Sequence, residues 1–262
     1  FAIVLGTLQL IAPNGGETVV AGGPATLISW QAAMGDADVT LSYRVGEGDW
    51  TDIATVAASA GSHSWTAPQI SSNQVRVRVR AADGILEDSS DGDFTISPPS
   101  LTLTAPTGGE LWALGSPHTI SWQTLGVGQV DVALSCDAGQ SWETLAAGST
   151  ANSLEWTPAG PPRVACRVRV SDVLGLAPAA SSADFTLAGV MLTAPNGGET
   201  WFYGDGSRLV TWFSAGVAGP VDLAYTTDAT AGSPVWAPLA TGVANTGSYA
   251  WNELPEVATT RA

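Results

Sequence analysis

The sequence contains no lysine, and only two cysteines, two histidines and two methionines among 262 residues. Its nine basic residues are therefore all arginine, against 24 acids, for a net charge of −15. A chain so poor in positive charge repels phosphate backbones and anionic headgroups, so nucleic acid and acidic lipid are excluded as natural partners. His63 and His118 lie far apart, and no Gly-x-Ser-x-Gly elbow accompanies them. A nucleophilic triad thus has no recognisable frame. No run approaches the ~20 apolar residues of a membrane span, so this segment is not expected to insert in a bilayer. The opening Phe-Ala-Ile-Val-Leu-Gly lacks the basic start and the length of a secretion signal. Helical periodicity is missing throughout.

What is abundant is glycine (30 residues), tryptophan (11) and repetition. The stretch Ala-Pro-Asn-Gly-Gly-Glu-Thr-Trp (194–201) recurs with small changes at 12–19 and 105–112. Its first glycines, Gly15, Gly108 and Gly197, stand 93 and 89 residues apart. Each copy is followed by the same landmarks: a hydrophobic-Ser/Thr-Trp run (Trp30, Trp122, Trp212), a tryptophan after a turn (Trp50, Trp142, Trp236), and a third (Trp65, Trp156, Trp251). Repetition on this scale marks a module copied along the chain. Tryptophan at fixed places in every copy predicts structural core positions, because its large apolar area dominates packing.

The local patterns are those of strands. In Val-Arg-Val-Arg-Val-Arg (75–80), strict alternation directs Val75, Val77 and Val79 inward and Arg76, Arg78 and Arg80 outward. Gly, Pro, Asn and Ser clusters punctuate such runs at the spacing typical of β-sandwiches. The expected fold class is all-β: tandem antiparallel immunoglobulin-like sandwiches of about seven strands each, forming an extended rod. Residues 1–5 read as the last strand of a preceding unit, followed by units at 6–98, 99–189 and 190–262, the third lacking its last two strands. Ser-Pro-Pro-Ser (97–100) and Leu-Ala-Gly-Val (187–190) read as short joints. In the repeated turn, proline ends a strand because it cannot donate to a ladder, and the glycines reverse the chain at positive φ. Glu17, Glu110 and Glu199 are placed to accept hydrogen bonds from the turn amides.

The combined pattern resembles the bacterial members of an immunoglobulin-like domain family that also includes the N-terminal domain of fungal Ser/Thr-rich cell-wall proteins of glucan assembly. It covers essentially the whole chain, three times over. The resemblance implies an immunoglobulin or fibronectin-III-like sandwich in secreted or surface-anchored proteins, in tandem beside other modules, with no catalytic motif. A second likeness is local: Ser-Cys-Asp-Ala-Gly-Gln-Ser-Trp (135–142) is similar to the aspartate box of sialidase-type propellers. One box per unit cannot build propeller blades, so its role here reads as shaping a hairpin.

Three groups offer chemistry. Cys136 and Cys166 share parity with core residues of neighbouring strands, which suits a cross-strand disulfide or a pair of buried thiols. Asp83, Glu87, Asp88, Asp91 and Asp93 gather at one hairpin. They offer the hard oxygens Ca²⁺ prefers, although EF-hand spacing is missing and a solvated acidic turn is the alternative. The arginine ladder, echoed by Arg167 and Arg169, is expected to pair with acids across the sheet. No other cofactor is indicated. The sequence therefore points to a non-catalytic, extracellular or cell-surface repeat segment, a stalk or filament subunit. Its expected partners are copies of itself, by strand exchange with a neighbouring subunit among other routes, or another surface protein or glycan. The alternative is a carbohydrate-binding or spacer portion of a secreted hydrolase.

Overall fold

In the computed structural model, residues 6–35, 37–204, 206–228 and 232–256 are described. The first repeat supplies nine strands: β1 (Thr7–Ala12), β2 (Thr18–Val20), β3 (Thr26–Ala33), β4 (Asp38–Val45), β5 (Thr51–Ala57), β6 (Ser62–Trp65), β7 (Ser72–Ala81), β8 (Glu87–Ser89) and β9 (Phe94–Ser97). They form two sheets, ordered β1-β3-β6 and β2-β9-β7-β4-β5, with β8 added on β7. This is the immunoglobulin-like arrangement: the chain crosses between sheets after β1, β2, β3, β5 and β6, and only β2 and β9 run parallel.

Alternation along β7 places Val75, Val77 and Val79 fully inside. Burying each contributes about 1.5 kcal/mol or more. Leu10, Ile28, Trp30, Val39, Leu41, Phe94 and Ile96 close the same core from both sheets. Trp65 meets Tyr43 and Phe94 at ring-centroid distances of 5.6 and 6.4 Å, so the aromatics bridge the two layers.

The second repeat follows the same order with β10 (Ser100–Ala105), β11 (Leu111–Ala113), β12 (His118–Leu125), β13 (Val130–Ser135), β14 (Glu143–Ser149), β15 (Ser153–Trp156), β16 (Arg163–Asp172), β17 (Ala180–Ser181) and β18 (Phe185–Ala194). Its sheets are β10-β12-β15 and β14-β13-β16-β18, with β11 beside β18. The third repeat shows β19 (Arg208–Ala215), β20 (Val221–Tyr225), β21 (Ala237–Val243) and β22 (Ser248–Trp251). Among the described residues it has no counterpart of β7 or β9, and β20 pairs only with β21. The suggestion that Phe1 to Val4 form a strand lies outside the described residues.

The two presumed joints differ. Pro98 and Pro99 separate β9 from β10, since neither can donate to a ladder. Leu187–Val190 holds no proline, and β18 runs straight through it, pairing with β16 at its start and with β19 from Gly189 onward. The expectation of a loop-like joint at 187–190 is therefore corrected. By contact density the chain forms two compact units: one of residues up to Thr102 with 123–130 and 171–179, the other of 103–122, 131–170 and the remainder.

The tryptophan positions are not all core. Trp30, Trp65, Trp122 and Trp212 are buried, and Trp156 and Trp251 are half-buried. Trp50 and Trp142 instead lie on outer sheet faces, covered by arginines, and Trp236 is 58% exposed. The sequence pattern fixes spacing but not which side of the sheet a residue after a turn takes.

Candidate functional site

The residues common to all three repeats converge on the Pro-Asn-Gly-Gly-Glu turn. A cis Ala-Pro bond precedes each copy. Glu17 accepts hydrogen bonds from the Asn14 and Gly15 amides at 2.6 and 2.7 Å. Glu110 does the same for Thr107 and Gly108 at 2.6 and 2.8 Å, and Glu199 for Asn196 at 2.8 Å. Partial burial raises the pKa of Glu17 and of Glu110, but the amide bonds more than reverse it and hold both below the ordinary 4.5. For Glu199 the Asn196 amide leads in the same direction.

The first two turns dock by close backbone approach. A Cβ on Gly15, at φ 128°, would stand 2.8 Å from the Gly92 Cα, so only glycine fits. Asn14 and Asp91 exchange hydrogen bonds at 2.8 and 2.9 Å. A Cβ on Gly197 would meet nothing within 4 Å. Gly15 and Gly108 close a sandwich edge.

The acidic hairpin disperses. Asp83 caps the Ile85 amide at 2.9 Å, Asp88 accepts from Leu10 at 2.8 Å, and Asp91 holds Asn14. Asp93 pairs with Arg76 at 2.6 Å, and Glu87 with Arg78 and Arg80 at 3.7 and 3.3 Å. Among the described residues, no three His, Cys, Asp or Glu side chains converge as a metal site would require. The expected cross-strand pairing of the arginine ladder is present, and Arg167–Asp184 repeats it in the second unit. The ladder also stacks on tryptophan: Arg78 lies 4.4 Å from the Trp50 ring centroid, and Arg169 lies 4.2 Å from that of Trp142.

Cys136 and Cys166 are joined in a disulfide with Cα atoms 4.0 Å apart, tying the end of β13 to β16. Cys166 is fully buried and Cys136 half-buried. Beside it, Asp137 binds Ser135 and Ser141, whose hydroxyl leads in pulling its pKa far down. The aspartate box thus shapes a hairpin here. His118 stacks on Trp112 at 4.9 Å, and its Nε2 sits 3.1 Å from the Ala113 carbonyl oxygen. That oxygen can only accept, so Nε2 carries the hydrogen. His63 lies on β6, opposite Ile28. The two histidines share no site.

Two features escaped the sequence reading. One is Asp172, which ties the following loop through the Leu174, Leu176 and Ala177 amides at 2.7–3.1 Å. The other is an open depression of about 690 Å³ at one end of the first repeat, lined by Met34, Gly35, Ser59, Asp83, Ile85 and Leu86 among others. A glycine just beyond the tryptophan strand in every repeat (Gly35, Gly126, Gly216) was the available signal.

No protein family matches the chain, and no curated protein does. Solved structures similar to it include the fibronectin(III)-like modules of Clostridium thermocellum CbhA, at 16% identity over 69% of this chain and 93% of that one, with a TM-score of 0.25. A chimeric titin Z1Z2 is similar at 15% identity over 71% and 97%, with a TM-score of 0.36. The BSP domain of a biofilm-associated protein is similar at 13% identity over 69% of this chain and 29% of that one, with a TM-score of 0.26. At such values the strand order described above, and not the likeness, carries the fold.

Proposed function

We propose that this chain is a non-catalytic structural repeat segment of an extracellular stalk or surface filament, built from tandem modules of the Pro-Asn-Gly-Gly-Glu-Thr-Trp kind. The observation that supports it most is where the shared residues go. The turn glutamates bind their own backbone amides, the arginines bind neighbouring acids and indoles, and the cysteines bind each other. These polar groups hold the module in shape, which suits a load-bearing element. A disulfide agrees with an oxidising compartment, and the net charge of −15 with a soluble exterior. Among the described residues no helix is long and apolar enough to cross a membrane.

The test uses the native full-length protein on intact cells. Antibodies against this chain should label the cell surface without lysis. Micrographs should show thin filaments with an axial repeat of about 3–4 nm, the length of a ten-residue strand such as β7. Labelling that needs lysis would overturn the reading. Exposed Trp236, without a ring partner among the described residues in the manner of sugar-stacking platforms, favours the carbohydrate-binding alternative. Glycan-array binding lost in Trp236→Ala would decide for it.

A further inference from the structure

Asparagine followed by glycine is the dipeptide most prone to spontaneous loss of its side-chain amide, because a glycine without Cβ leaves its own nitrogen unshielded. The chain has the pair at Asn14-Gly15 and at Asn196-Gly197. In that reaction the Gly15 nitrogen gives up its proton to solvent and bonds to the Asn14 Cγ. The Cγ–Nδ2 bond breaks, and Nδ2 leaves as ammonia after taking a proton from water. Water then opens the five-membered imide at either carbonyl, leaving aspartate or isoaspartate.

Around Asn14 the ring closure meets an obstacle at each partner. One residue of the β8–β9 turn holds the side-chain amide at both ends: Asn14 Nδ2 donates to Asp91 Oδ2 at 2.8 Å, and the Asp91 amide donates to Asn14 Oδ1 at 2.9 Å. To reach the Gly15 nitrogen, Cγ must turn away from both. The Gly15 N–H points instead at Glu17 Oε2, 2.7 Å away, a carboxylate far too weak a base to remove an amide proton. Nor does the backbone swing freely. The Gly92 amide donates to the Asn14 carbonyl at 3.1 Å, and a Cβ on Gly15 would stand 2.8 Å from the Gly92 Cα.

The second repeat carries neither half of this arrangement. Thr107 stands where the first repeat has Asn14, and threonine has no amide to lose. The surrounding bonds fix the equivalence: Ala183 donates to the Thr107 carbonyl at 3.2 Å as Gly92 does to that of Asn14, and Ser182 donates to Val168 as Ser90 does to Val77, both at 2.9 Å. One residue separates Ser90 from Gly92, and none separates Ser182 from Ala183. Between these two repeats, Asp91 is therefore an addition found only beside the labile pair. The turn itself closes without it, since Glu110 binds the Gly108 amide as Glu17 binds that of Gly15. We infer that Asn14 is a latent site of spontaneous deamidation and that Asp91 is the latch that holds it closed, a positioning residue acting through the Asn14 side chain. This chemistry holds whether or not the chain forms filaments.

Timed peptide mapping of the intact folded chain, at neutral pH and constant temperature, reads aspartate and isoaspartate at residue 14. Asn196 in the same molecules serves as a clock for the conditions. Asp91 is an exposed turn residue, so Asp91→Ala leaves the core untouched. That variant should lose the Asn14 amide about three- to tenfold faster than the parent, the worth of one hydrogen bond, with Asn196 unchanged. Ile28→Val takes one methylene from the buried core and leaves the latch whole, so it lowers stability alone. Its Asn14 should keep the parent rate. An Asp91→Ala rate equal to the parent's would overturn the inference. So would equal acceleration in Ile28→Val, because opening of the whole sandwich would then set the rate.

Discussion

At the scale of single residues, equivalent positions do the same packing with different polar solutions. The buried indole of Trp30 donates to the Ala58 carbonyl at 2.9 Å, and Trp212 donates to Asn245 at 2.7 Å. The Trp122 Nε1 is buried without a partner. Trp30→Phe should therefore cost about 0.5–1.5 kcal/mol beyond lost packing, since the buried Ala58 carbonyl keeps only the long bond from the Gly61 amide at 3.4 Å. Trp122→Phe removes an unsatisfied donor and should lose packing alone; denaturant midpoints of the two variants measure the difference. The turn glutamates yield a pH prediction. Glu17, Glu110 and Glu199 have folded pKa values below the ordinary 4.5, so their ionised forms add stability above that pH. That contribution is lost as pH falls through the folded values. Melting temperature should drop between about pH 5 and pH 3, and the drop should be blunted when all three are changed to glutamine. Equal slopes for parent and triple variant would refute it.

At the scale of elements, periodicity was the legible signal. Strict alternation in β7 gave the inward valines and outward arginines directly, because a strand has a period of two and one face meets the core. The turn glutamates were legible too, since a carboxylate two or three residues past exposed amides has few other acceptors' work to do. The outer-face tryptophans were not. Trp50 and Trp142 follow turns of different length, and a turn resets parity; their stacking on Arg78 and Arg169 depends on strand order, which spacing does not encode. The disulfide was half legible: parity allowed it, and only the adjacency of β13 and β16 made it. In the first repeat Tyr43 and Val75 occupy the corresponding places in the sequence, with Tyr43 opposite Val77 and Val75 opposite Val45. Reducing a bridge that spans 30 residues should cost about 3–4 kcal/mol. Hydrogen exchange should therefore quicken in β16 after reduction, with β7 unchanged; equal acceleration in both would mean the repeats do not keep separate stabilities.

At the scale of the whole molecule, the charge balance and the exposed apolar side chains make opposing demands on association. Copies carrying a net −15 repel one another, and most of the nine arginines already serve internal acids or indoles. Complementary charge therefore cannot draw copies together, and what remains is burial of exposed apolar side chains such as Ile85, Phe202 and Val235, which salt does not weaken. Screening shortens the reach of the repulsion from tens of ångströms at ~0.01 M salt to about 3 Å at ~1 M. Self-association measured by sedimentation should accordingly strengthen several-fold as sodium chloride rises across that range. An ionic contact would behave in the opposite way. The sign of the salt dependence thus separates a contact held by apolar burial from one held by charge, and weakening with salt would exclude the former.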